Sequence, residues 1–203
     1  MSWTEYFDRI VVINLPHRKD RLIEVTEEMD KYGIEFELVD GIKNDNGAEG
    51  LRQTVENIFL ESIEAGHRRI LIFEDDAYFL EDPNPIMEQV IQQVPENFLM
   101  CFLGCQATRG FQFAYSTNLL LLQGAFATHA VMYSLQCMKE VISRGLKAPI
   151  DNFYVDEIQN MGNTYAIRPI LCSQRAGMSN IGNQFIDWNP FILNRFQQKL
   201  AEL

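Results

Sequence analysis

Three acidic residues, Glu74, Asp75 and Asp76, follow directly on the apolar run Ile70, Leu71, Ile72, Phe73. A run of that kind reads as a buried strand, so the acids stand at its carboxyl end, where open α/β sheets bind their ligands. Clustered carboxylates repel one another and draw a cation, and hard oxygen ligands suit Mg²⁺ or Mn²⁺ better than Ca²⁺ in so short a cluster. The same triplet also fits a solvated turn whose acids cap a following helix. A second group of chemically able residues, Asn14, Leu15, Pro16, His17, Arg18, Lys19, Asp20 and Arg21, follows an earlier apolar run over 10–13. Its cations suit a phosphate that also meets a metal at the acidic triplet, although an arginine on a helix's first turn is commonly just exposed. It has neither the three glycines of a dinucleotide-binding turn nor the phosphate-loop pattern, which argues against NAD, FAD and P-loop nucleotide chemistry.

The elements that must position these groups follow from periodicity. Strands are expected over 10–13, 36–39 and 70–73, and amphipathic helices over 20–32 and 47–65, with Gly33 and Gly66 as stops. Strands alternating with helices require crossover connections, so the expected fold is an α/β/α sandwich with a mostly parallel central sheet, built as one domain over 1–203. Further on the spacing predicts a turn at Pro83 and Pro85, a helix to Gln93, a strand over 98–103 and a loop over 104–118. A strand or bend over 124–133, helices over 134–144, 150–161 and 190–203, and an extended piece over 165–167 complete the pattern.

Composition narrows the partners. The chain has 203 residues with 17 Lys and Arg against 28 Asp and Glu, a formal charge of −11, so no broad basic face is expected for nucleic acid. The N-terminus lacks a secretory layout, and the apolar stretch near 119–122 is far too short to span a membrane, so a cytoplasmic chain without a transmembrane segment is expected. Cys101, Cys105, Cys137 and Cys172 have no zinc-like spacing and read as buried reduced thiols.

Taken together, the motifs resemble glycosyltransferase family 25, which includes lipopolysaccharide and collagen galactosyltransferases. The resemblance rests on Val11-Val12-Ile13-Asn14-Leu15 with Arg18 to Arg21, on Asp40-Gly41, on Leu71-Ile72-Phe73-Glu74-Asp75-Asp76, and on Thr128-His129-Ala130 followed by Ser134. Pro149-Ile150-Asp151 and the ending Tyr165 to Pro169, Gln174, Ser179-Asn180-Ile181 continue it in order. It implies a GT-A fold and transfer of a hexose from a nucleotide sugar, a UDP-sugar, to a glycan or hydroxylated acceptor, with inversion. On this resemblance Glu74, Asp75 and Asp76 hold Mn²⁺ or Mg²⁺, and Asn14, Leu15, Arg18, Arg21, Asp40 and Gly41 line the nucleoside end. His129, Gln174 and Ser179 meet substrate, and Asp151 removes the acceptor proton, with Asp156 and Glu157 in reserve.

Alternative roles stand beside these. Asp151 also fits a helix N-cap, His129 a hydrogen-bonded core residue, and Trp188 with Phe191 either a sugar platform or a pin for the last helix; His17 and His67 read as surface residues. The family's Gly-Cys-x-x-Ser-His is replaced by Gly50-Leu51 and Thr54-Val55, without the His, and Asn180 stands for an Asp. The missing His motivates a catalytically inactive binding or regulatory module as the alternative. A receiver-like signalling domain would need an acid after the first strand, where Asn14 stands instead.

Overall fold

The computed structural model describes residues 2–178 and 184–203. In chain order its elements are β1 (Arg9–Asn14), α1 (Lys19–Lys31), β2 (Glu37–Asp40), α2 (Gly47–Glu64), β3 (Arg69–Glu74), β4 (Ala77–Phe79) and α3 (Asn84–Gln93). There follow β5 (Met100–Phe102), β6 (Gln106–Ala114), β7 (Leu119–Phe126), β8 (Ala130–Ser134), α4 (Leu135–Arg144) and α5 (Ile150–Phe153), which continues into a wider π turn over Tyr154–Ile158. The last are β9 (Thr164–Ile167), β10 (Cys172–Gln174), β11 (Gly177–Met178), β12 (Phe185–Ile186) and α6 (Asn189–Leu200).

Eight strands form the central sheet in the order β2-β1-β3-β8-β5-β9-β7-β6. Only β7 and β8 run against the common direction, so the sheet is mostly parallel. Alternate side chains of each strand feed two cores. Val11, Ile13, Ile70 and Ile72 pack with Val55, Ile58 and Phe59 of α2, Val141 of α4 and Phe196 of α6 on one face. Ile10, Val12, Leu71 and Phe73 pack with Val25 and Met29 of α1 and Met87 and Val90 of α3 on the other. Helices on both faces of one sheet give the α/β/α sandwich.

Two expectations fail in the middle of the chain. The segment expected as a loop over 104–118 contains β6, paired with β7 in a long hairpin. Its register shifts three times, between Gln106 and Gly110, Gly110 and Phe111, and Phe111 and Phe113; each bulge resets the two-residue alternation by which a strand is recognised. Gly110 supports this with φ of 90°, a left-handed conformation that suits glycine. The stretch expected as one strand or bend over 124–133 is the end of β7, a turn at Ala127, which has φ of 75°, and then β8. A short ribbon, β10 paired with β4, crosses the sheet's carboxyl end. It is seated at Gly104, where an added Cβ would stand 1.8 Å from the Cys172 carbonyl oxygen and 3.2 Å from His129 Nε2. Among the described residues no helix is long and apolar enough to cross a membrane, and all four cysteines are free and buried.

Candidate functional site: two cavities joined at Glu74

Parallel pairing puts Ile13 of β1 level with Glu74 of β3, so the turn after β1 and the acidic turn after β3 open at the same end of the sheet. Arg21, in the first turn of α1, crosses between them. Its Nη1 donates to Asp75 Oδ1 at 2.8 Å and Asp76 Oδ2 at 3.2 Å, and its Nη2 to the Met178 carbonyl at 3.1 Å. Gln174, on the ribbon, has its Nε2 3.4 Å from Asp76 Oδ1. The next residue ties the ribbon down: Arg175 N–H donates to the Asp76 carbonyl at 2.7 Å, and its guanidinium bridges the Ala77 carbonyl and Glu28 Oε2 at 2.7 and 2.8 Å.

Two cavities flank this junction. The first, of about 270 Å³, is bounded by Leu15, His17, Arg21, Gly41, Lys43 and the three acids. The second, of about 360 Å³, is bounded by Gln106, Phe126 to Thr128, Pro149 to Asp151 and the α6 residue Ile192. Leu51, Glu74, Gln174, Ile186 and Trp188 border both. Glu74 accepts from the Thr128 hydroxyl at 3.0 Å. Desolvation, reinforced by the charges of Asp76 and Asp151, pushes its carboxyl up to about 8. Asp75 and Asp76 are also raised by desolvation, against the pull of Arg21. Asp151 accepts the Ala127 N–H at 2.9 Å, and desolvation raises its carboxyl to about 6.

Among the described residues no group of three or more His, Cys, Asp or Glu side chains is arranged to hold a metal ion. Asp75 is committed to Arg21, and Asp76 shares that guanidinium through one oxygen while the other faces Gln174. This donor set fits a Mg²⁺ or Mn²⁺ ion held by one or two carboxylates together with substrate phosphate oxygens, the usual habit of Mg²⁺. It does not fit an ion caged by protein alone.

The remaining candidates fall in different places. Leu15 and Gly41 line the first cavity, and the Gly41 N–H donates to the Asn14 carbonyl at 2.8 Å. Asn14 itself is buried with its amide on the Leu15 carbonyl at 2.9 Å, and Asp40 is exposed at the end of β2; neither lines a cavity. Arg18 pairs with Asp20 at 2.8 Å and reaches the Met178 carbonyl at 3.2 Å, outside both linings. His129 lies fully buried under the junction, with neither ring nitrogen hydrogen-bonded among the described residues; desolvation lowers it to about 4, so the ring is neutral. Ser179 lies outside the described residues. Asp156 pairs with Arg109 and Glu157 with Arg144, away from both cavities. Lys43 and Gln106, which no motif marks, also line the cavities, as does Thr128, which the motif Thr128-His129-Ala130 contains without giving it a role; His17 is exposed, as expected, at the border of the first cavity.

No family model matches the sequence, and no curated protein matches it. By fold the chain is similar to A197 from STIV, with a TM-score of 0.55 and 13% identity over 87% of this chain and 91% of that one. It is also similar to a glycosyltransferase involved in the glycosylation of the major capsid of PBCV-1, with a TM-score of 0.50 and 17% identity over 78% and 80% of the two chains. The fold is GT-A-like. Identities this low bear on the fold alone, and nothing in them singles out family 25.

Proposed function

We propose that this chain is a metal-dependent, inverting glycosyltransferase that moves a hexose from a nucleotide sugar, a UDP-sugar, to a hydroxyl of a glycan or hydroxylated side chain. The observation that carries the reading is the meeting of a cation-bordered cavity and an acid-bearing cavity at one wall, Glu74 and Gln174. The donor lies in the first cavity, with Leu15 and Gly41 toward the nucleoside and Arg21 and Lys43 toward the diphosphate. The acceptor enters the second. Its hydroxyl oxygen attacks the anomeric carbon as the bond to the diphosphate oxygen breaks, and Asp151 takes the hydroxyl proton. A base near 6 is deprotonated at neutral pH and still holds a proton well enough to accept one, which suits that task. Asp76, with Glu74 beside it, would hold Mn²⁺ or Mg²⁺; the ion supplies positive charge against the charge growing on the leaving diphosphate. We also read the chain as a single catalytic domain akin to family 25, working in the reducing cytoplasm, where its four free, buried thiols stay unpaired.

A second reading keeps the binding and loses the turnover. The position of the family's His is taken by Val55, packed in the core at 3% exposure, so no side chain there can serve chemistry. Calorimetry and a donor panel separate the two. Catalysis requires that UDP bind more tightly with Mn²⁺ than with chelator, that Asp76→Ala abolish the difference, and that some donor be hydrolysed or transferred. Equal UDP affinity in metal and chelator refutes the metal-dependent site, and tight metal-dependent binding with no turnover across the panel establishes the inactive module.

A further inference from the structure

The second cavity has two ionisable side chains in its wall, Glu74 and Asp151, and both are acids. Among the described residues no lysine, arginine or histidine lines it. The remaining polar surface is amide and hydroxyl, from Gln106, Gln174, Gln184 and Thr128. Arg109, on the same strand as Gln106, is paired with Asp156 at 3.0 Å and Asn160 at 3.2 Å, and Arg21, across the shared wall, is held on Asp75 and Asp76. An anionic ligand would lose its water beside the Asp151 carboxylate with no cationic side chain of the wall in return, and like-charge contacts of that kind cost several kcal/mol. Amides, by contrast, both donate and accept, which matches a ring of neutral hydroxyls.

One wall is aromatic. Trp188 is 43% exposed and borders both cavities, and Phe191 stands edge-on to it at 5.8 Å between ring centres. A half-exposed indole held by a neighbouring ring offers a flat apolar face, an amphipathic surface suited to the C–H face of a sugar.

We propose that the second cavity is a subsite for an uncharged saccharide, laid on Trp188 and hydrogen-bonded by the glutamine amides, and that it rejects saccharides carrying a carboxylate or phosphate. This deepens the reading of the cavity as the acceptor site and rests on it for its role in transfer; the binding preference itself needs no turnover.

The test uses simple glycosides on the full chain: a neutral methyl galactoside, its C6-carboxylate counterpart, and the 2-amino-2-deoxy analogue, each titrated with and without UDP and Mn²⁺. Trp3 is buried at 1% exposure with its indole N–H on Asn84, so a change in tryptophan emission reports Trp188, and saturation-transfer NMR reports binding independently. The neutral glycoside should bind saturably and the carboxylate at least about tenfold more weakly, a difference of about 1.4 kcal/mol. Trp188→Ala should remove the NMR signal, and Gln106→Lys should close the gap between the neutral and the carboxylate ligand. The proposal is overturned if the carboxylate binds as tightly as the neutral sugar, if the cationic amine is rejected as strongly as the carboxylate, if the neutral sugar binds in neither condition, or if Trp188→Ala leaves binding unchanged. Failure to bind UDP would count against the transferase reading and would leave this preference measurable.

Discussion

The two cavities share a wall at Glu74 and Gln174 and are built in opposite ways. The first is walled by turns that leave parallel strands, and its charges neutralise one another: Arg21 with Asp75 and Asp76, and Arg175 with Glu28 at its rim. The second is walled by a bulged hairpin, a helix start and the last helix, and its acid, Asp151, faces amides and apolar groups with no cation. Charge on the first side is thus kept ready for an ionic ligand. On the second side desolvation acts on a carboxylate unopposed by any cation, which is how an ordinary aspartate reaches about 6.

If that division is real, substitutions on the two sides should fail differently. Asp151→Asn should lower transfer by about 10²–10⁴-fold while calorimetric UDP affinity stays at the parent value; transfer at the parent rate, or a product that retains the donor's anomeric configuration, would break the assignment. Arg21→Ala should act on the other side and on stability together. It strands two largely buried carboxylates, so roughly 3–5 kcal/mol of stability should disappear, visible as a lowered melting temperature, with weakened UDP binding.

The pH dependence sharpens the contrast. With Asp151 near 6, kcat/KM should rise about tenfold per pH unit below that value and level off above it, and Asp151→Asn should abolish the rise. The sign for stability is opposite: the folded carboxyl holds its proton more tightly than the unfolded one, so stability falls as pH rises from the ordinary aspartate value of 3.8 to about 6. Melting curves of Asp151→Asn across that window should lack this slope. The smallest effect belongs to Arg18→Ala, whose partner Asp20 is exposed; about 0–1 kcal/mol and an unchanged UDP affinity would place Arg18 in solvent, whereas a large loss of UDP affinity would return it to the donor.

The same contrast governs what the sequence reveals. On the first side β1, β3, α1 and α2 lie within a residue or two of their expected bounds, because buried parallel strands are continuous apolar runs and their helices carry a plain 3.6-residue stripe. The acids of β3 are legible for the same reason: they end such a run. What is not legible there is the partner. Arg21 meets Asp75 and Asp76 from 54 and 55 residues away, a consequence of strand adjacency that spacing does not encode. On the second side the hairpin is hidden by its bulges, and Gln106 and Ala127, residues of unremarkable type, join Pro149 and Trp188 in the cavity wall only through tertiary packing. Asp151 is legible through its place at a helix start; its lack of a cationic partner is not.

Gly104 touches neither cavity. Yet the ribbon that delivers Gln174 to the junction rests on it, with the Cys172 carbonyl where any side chain would begin. Its consequence lies in how far the chain can drift. In a saturation library selected for activity, residues that border the ligand, such as Gln106 or Lys43, should exchange with related types as substrates change, while position 104 should return glycine alone: the most invariant site of the molecule would be one that no substrate ever meets.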